Sequence, residues 1–180
     1  EYHMTIAVLA GGDSSEYSIS VKSGKEIIKW LGKAGYSSYL VIVQGSSWTV
    51  MNGELEHAVD LNTFAFSDGK KKIHFDYVWN VIHGTPGEDG KIQGYLDMMG
   101  IPYSCSGLLS SALTFDKFVS KSYLKQFGIL TAESKLLKRN QEYQIEEIIE
   151  TLGLPCFVKP NRGGSSFGTT KVSQSEKLKA

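Results

Sequence analysis

Thr5-Ile6-Ala7-Val8-Leu9-Ala10 is a short apolar run that stops at Gly11-Gly12, and this opening stretch decides the fold. Unbroken apolar residues without alternation suit a strand buried on both faces. The polar residues that follow lead into Ile19 to Leu31, where Ile27, Ile28 and Leu31 fall at helical spacing. Gly35 stands where a helix ends on a left-handed glycine, and Tyr39 to Val43 is a second continuous apolar run. Strand, loop, helix, strand is a βαβ unit, which predicts an α/β fold with an open parallel sheet of the doubly wound, Rossmann-like kind.

Further along, Asn52-Gly53 separates Ser47–Met51 from Glu54–Val59, the dipeptide that favours a tight primed turn, and the polarity of this predicted hairpin marks it as a surface decoration. After a strand near Ile73, Tyr77 to Ile82 is another apolar run, ended by His83-Gly84-Thr85-Pro86-Gly87-Glu88-Asp89-Gly90 and a helix from Lys91 to Met99. Ser110 to Phe127 reads as one long helix with Leu113, Phe118, Leu124 and Phe127 on its apolar face and Gly128 as its cap. Beyond it come a strand at Ser134–Leu137, an amphipathic helix at Gln141–Leu152 with its acids early, a buried strand at Pro155–Lys159, a glycine loop and a strand at Thr169–Val172. The short glycine-bearing connection makes the last two strands an antiparallel hairpin. The change of pattern places a boundary near Gly107–Ser111, giving domains 4–110 and 111–180, with Glu1 to His3 read as a cloning scar ahead of a native start at Met4.

Charge and cysteine usage exclude several classes of function. The 180 residues carry 19 Lys plus Arg against 19 Asp plus Glu, so no basic excess is available to displace counterions from nucleic acid or to hold a membrane surface. No apolar run approaches the roughly 20 residues that span a bilayer. Cys105 and Cys156 are too few for a disulfide scaffold and read as free thiols of a reducing compartment, which predicts a cytoplasmic protein.

Three segments carry candidate chemistry. Gly11-Gly12-Asp13-Ser14-Ser15-Glu16 occupies the first strand-to-helix loop, at the carboxyl edge where open α/β sheets present ligand groups. Asp13, Ser14 or Ser20 can serve there as simple helix caps, whereas Glu16 is suited to pair with a substrate ammonium. In His83–Gly90, glycines let backbone approach a ligand; alternatively Glu88 or Asp89 caps the next helix and His83 satisfies a core hydrogen bond. Lys159, at the end of a strand expected to be buried, calls for an anionic partner, and Asn161 to Gly168 with Ser165 and Ser166 offers N–H groups and hydroxyls for phosphate oxygens. The competing reading is a surface hairpin with a snorkelling lysine. Lys117 lies toward a helix start, where a cation is unfavourable unless an anion is near, while Lys121 fits a solvated face.

Together, Gly11-Gly12-x-Ser14-x-Glu16, His83-Gly84-x-x-Gly87-Glu88-Asp89-Gly90 with Gln93-Gly94, Gly100-Ile101-Pro102-Tyr103, Asp116-Lys117 and Val158-Lys159-Pro160-x-x-x-Gly164-Ser165-Ser166-x-Gly168 resemble the D-alanine–D-alanine ligase family. The resemblance runs from about Thr5 to Val172 and implies an N-terminal substrate-binding domain (pre-ATP-grasp) at 4–110, followed by part of an α+β ATP-grasp central domain at 111–180. One departure is Gly163, at a position often occupied by Glu in the family.

The resemblance implies ATP-dependent joining of two D-alanines through an acyl phosphate, for peptidoglycan. It assigns Glu16 to the ammonium of the first D-alanine and His83 to its orientation. Ser165 links to Glu16 through a network whose tyrosine lies beyond this sequence, Lys117 and Lys159 bind ATP phosphates, and the Ser165-Ser166 flap closes over them. Magnesium or manganese is expected on ligands beyond residue 180, so a chain ending at Ala180 is expected to bind nucleotide weakly and not to ligate. A homodimer is the implied assembly. The alternatives are a D-alanine–D-lactate or D-serine ligase and, from another class, a non-catalytic nucleotide-binding module.

Overall fold

The computed structural model describes residues 4–178, so the reading of Glu1 to His3 as a scar lies outside the described residues. The chain divides into two compact units, Glu1–Ala112 and Leu113–Ala180.

In the first unit β1 (Thr5–Gly11) is an interior strand of the sheet, buried from Ile6 onward. It pairs in parallel with β2 (Ser37–Gln44) on one side and with β7 (Tyr77–Asn80) on the other. Because successive side chains point to opposite faces, Ile6, Val8 and Ala10 join one core cluster and Ala7 and Leu9 another. That two-sided burial is why the run does not alternate, and each such fully buried aliphatic contributes roughly 1.5–3 kcal/mol.

The first face is covered by α1 (Tyr17–Lys33), which packs Leu31, Ile27 and Ile28 over Ile6 and Val8. Gly24 allows the close approach: a Cβ there would lie 2.8 Å from both Ala10 Cβ and Leu40 Cδ1. The helix ends where expected, with Gly35 left-handed at φ +83 and the Tyr36 amide donating to the Leu31 carbonyl. The opposite face is closed by the ribbon of β5 (Ala65–Ser67) and β6 (Lys72–His74) and by α2 (Lys91–Met99). Phe64, Phe66 and Phe75 fill that layer, with Tyr39 edge-on to Phe66 at 5.0 Å.

The predicted hairpin forms as β3 (Ser47–Asn52) and β4 (Leu55–Ala58), but it is no decoration. It continues the main sheet in the order β4-β3-β2-β1-β7, with both added pairings antiparallel. Its polarity belongs to the alternate, outward positions, whereas Val50 is fully buried and Trp48 packs edge-on to Phe64 and Tyr95. The sheet is therefore parallel across β2, β1 and β7 and antiparallel across β4, β3 and β2.

The second unit departs further from the sequence reading. The single helix expected over Ser110–Phe127 is two, α3 (Leu108–Phe115) and α4 (Lys117–Lys125). Asp116 separates them in an extended conformation (φ −91, ψ 103), its carboxylate accepting from the Val119 amide as an N-cap. Gly128, at φ +72, follows α4 as anticipated, yet Phe127 is exposed. Ser134–Leu137 forms no strand, because no described segment pairs with it. The next helix, α5 (Ile145–Leu152), is shorter than expected and carries Glu146 and Glu147 in its first turn.

The anticipated antiparallel pair is β8 (Cys156–Val158) with β9 (Thr170–Val172). The sequence predicts burial for β8, but only Val172 of the pair is buried, whereas Phe157 is 60 % and Val158 46 % exposed. Lys159 is exposed too, so burial gives it no need for an anion.

Candidate active site

The first unit brings the ends of β1 and β7 together and laces their loops. One hydroxyl bonds both loops: Ser14 Oγ donates to the His83 carbonyl at 2.7 Å and accepts from the Glu16 amide at 3.2 Å. Beside it the Asp13 amide donates to the Thr85 carbonyl at 2.9 Å. A Cβ on Gly12 would lie 2.5 Å from Ile82 Cγ2, and one on Gly84 would lie 2.9 Å from Ser14 Cβ. Glu16 and His83, 67 positions apart in the sequence, thus share one edge of the sheet, both half-buried.

The capping readings for this region are corrected. No side chain caps the start of α1 at Glu16. Ser20 lies inside that helix, accepting from the Gly11 amide at 2.9 Å and donating to the Val81 carbonyl at 2.7 Å, so it ties β1 to β7. Asp13 turns toward the next loop and accepts from the Gly45 amide.

The glycine loop after β7 is internally fastened. Glu88 accepts from the Gly84 amide at 2.7 Å, and the Gly87 carbonyl receives both Asn80 Nδ2 at 2.8 Å and the fully buried Gln93 Nε2 at 2.7 Å. Asp89 Oδ1 accepts from the Lys91 amide at the start of α2 at 3.4 Å, in keeping with the capping reading, although the N-cap position itself is Gly90. Burial pushes the Asp89 carboxyl up, but hydrogen bonds from Lys91 and Thr85 outweigh it and hold the group below its usual range. A groove of about 750 Å³ in this unit lies elsewhere, along Val21, Ile28, Leu40, Ile42 and Met51, and includes neither Glu16 nor His83.

In the second unit the start of α4 is stitched to the start of the β8–β9 loop. Asn161 Oδ1 accepts from the Phe118 amide at 2.9 Å, the Asn161 carbonyl accepts from the Lys117 amide, and Arg162 Nε donates to Asp116 Oδ2 at 3.0 Å. The Val119 amide chiefly lowers the Asp116 carboxyl from its ordinary range; burial opposes, and Asn161 and Arg162 add to the lowering. Lys117 Nζ donates to the Gly163 carbonyl at 2.8 Å, so this ammonium is held against the loop. Ser165 and Ser166 are both exposed and left-handed, at φ +48 and +55, an uncommon conformation for residues with a Cβ that concentrates at ligand clamps.

Residues 5–106 match the family model described as D-ala D-ala ligase N-terminus, and residues 123–180 match D-ala D-ala ligase C-terminus. The chain belongs to the D-alanine–D-alanine ligase family. The D-alanine–D-alanine ligase of Bacteroides thetaiotaomicron is 50 % identical over 175 residues, which cover 97 % of this chain and 54 % of that protein. D-alanyl-alanine synthetase A from Vibrio cholerae superposes with a TM-score of 0.84 at 32 % identity, over 98 % of this chain and 54 % of that one. The VanG D-Ala:D-Ser ligase of Enterococcus faecalis gives 0.82 at 31 % identity, over 99 % of this chain and 58 % of that one. The chain therefore spans about half the length of these D-alanine–D-alanine ligase relatives.

Within this member of the family the candidate residues fall into two sets. Glu16 and His83 belong to the first unit, and Lys117, Lys159, Ser165 and Ser166 to the second. The sequence reading missed the joining role of Ser14 and the Asp116–Arg162 pair. An N-cap search at Asp116, three residues before Val119, is the signal that finds the second. No group of three or more His, Cys, Asp or Glu side chains among the described residues is placed to hold a metal ion, so no step below is routed through magnesium. Among the described residues no helix is long and apolar enough to cross a membrane.

Proposed function

We propose that this chain carries the substrate loop and the phosphate flap of an ATP-dependent ligase that joins two D-alanines for peptidoglycan. Residues 4–110 form its substrate-binding domain and 111–180 an incomplete ATP-grasp central domain. The observation that carries the reading is the lacing of the Glu16 and His83 loops through Ser14, since a plain nucleotide-binding module has no use for such a substrate edge.

Glu16 holds the ammonium of the first D-alanine, and His83 orients that substrate. A carboxylate oxygen of the bound D-alanine attacks the γ-phosphorus of ATP, the bridging P–O bond breaks and ADP leaves. The amine of the second D-alanine then attacks the acyl carbon, and phosphate departs with one former carboxylate oxygen. No protein nucleophile is required; positioning and neutralised phosphate oxygens supply the rate. Lys117 and Lys159 neutralise those oxygens, and Ser165 and Ser166 close over them. In this scheme Lys117 exchanges the Gly163 carbonyl for phosphate when nucleotide arrives. Magnesium supplies charge neutralisation on ligands outside the described residues. The working form is a cytoplasmic homodimer.

The likeness to a D-Ala:D-Ser ligase supports one second reading, with D-serine as the attacking substrate. Steady-state phosphate release by the full-length protein tests both. Turnover that requires D-alanine and yields D-alanyl-D-alanine is expected; a requirement for D-serine selects the second reading, and turnover indifferent to D-amino acids contradicts both.

A further inference from the structure

Ser14 connects the two groups assigned to the first D-alanine without facing substrate through its own bonds. Its O–H is spent on the His83 carbonyl at 2.7 Å, and its lone pair on the amide of Glu16, the residue just before α1, at 3.2 Å. The bond to His83 spans 69 positions of sequence, so no local turn can replace it. Space around it is fixed as well, since Gly84 leaves no room for a Cβ against Ser14. Asp13 and Thr85 hold the two loops together by backbone alone and do not need the hydroxyl.

We propose that Ser14 is a positioning residue that sets the spacing of Glu16 and His83 and thereby the affinity for the first D-alanine. The inference rests on the function proposed above. Losing the hydroxyl leaves the loops tied by Asp13 and Thr85 but frees the His83 carbonyl and the Glu16 amide to move independently. The consequence falls on substrate spacing more than on folding.

The test uses the full-length protein as wild type, Ser14→Ala and Ser14→Thr. For Ser14→Ala we expect the D-alanine KM to rise about tenfold, the equivalent of about 1.4 kcal/mol, with kcat and the KM for ATP within about twofold. Ser14→Thr keeps the hydroxyl and should bring the D-alanine KM back to within about threefold of wild type. An unchanged KM in Ser14→Ala overturns the proposal. So does an equal loss in both variants accompanied by a common fall in Tm, which is what a purely structural role produces. Failure of the wild-type protein to turn over ATP with D-alanine is a different result, because it removes the function reading itself.

Discussion

Glu16→Gln in the full-length protein is expected to abolish most D-alanine-dependent ATP turnover while leaving ATP binding intact. The replacement keeps the size of the side chain but removes the charge that the proposed function pairs with a substrate ammonium, in a half-buried loop. Losing one partner of a close charge pair costs about 2–5 kcal/mol, which lowers kcat/KM for the first D-alanine by roughly thirtyfold to several thousandfold. Folding should be little affected, because the bond to Ser14 comes from the Glu16 main chain and survives the replacement. Calorimetric titration with ATP and thermal melting are the controls. Wild-type kcat/KM in this variant would remove Glu16 from the site.

Lys159→Ala is the second large effect, and it acts on the other substrate. Lys159 follows β8, is exposed, and forms no ion pair among the described residues. Its removal should therefore leave stability within about 0.5 kcal/mol, as for other surface positions. If its ammonium meets ATP phosphate under a closed flap, losing that charged contact costs about 2–5 kcal/mol, read as a rise of at least thirtyfold in the KM for ATP. The D-alanine KM at saturating ATP should move much less. A variant that melts early but keeps its KM for ATP would assign Lys159 a structural role and contradict the phosphate reading.

The parts of the fold legible in the sequence were those written in local patterns. The Thr5–Ala10 run, Gly35 and the Asn52-Gly53 turn each encode a strand, a helix end or a hairpin in contiguous residues, and each appears in place. What that hairpin joins was not local: its outward residues are polar, and only the register Val41 opposite Val50 reveals that it extends the sheet. The same limit explains Ser110–Phe127. Helical periodicity runs across Asp116, but a capping carboxylate with Arg162 and Asn161 behind it breaks the helix there.

Lys159 shows the opposite error, in which an apolar run was taken as evidence of burial. Phe157 and Val158 belong to a two-stranded sheet, point to its opposite faces and are both exposed, so hydrophobicity does not translate into burial there. At the site, residue types announced Glu16 and the glycine loop, whereas the Ser14–His83 bond joins positions too far apart for spacing to disclose.

The central claim is that the D-alanine carboxylate itself takes the γ-phosphoryl group. The most direct measurement supplies D-alanine labelled with ¹⁸O in both carboxylate oxygens to the full-length protein with ATP, and determines the isotope content of the released phosphate by mass spectrometry. The acyl-phosphate route predicts one ¹⁸O atom in each phosphate, matched by one dipeptide formed. Phosphate carrying no label, released in step with ATP consumption, would contradict it.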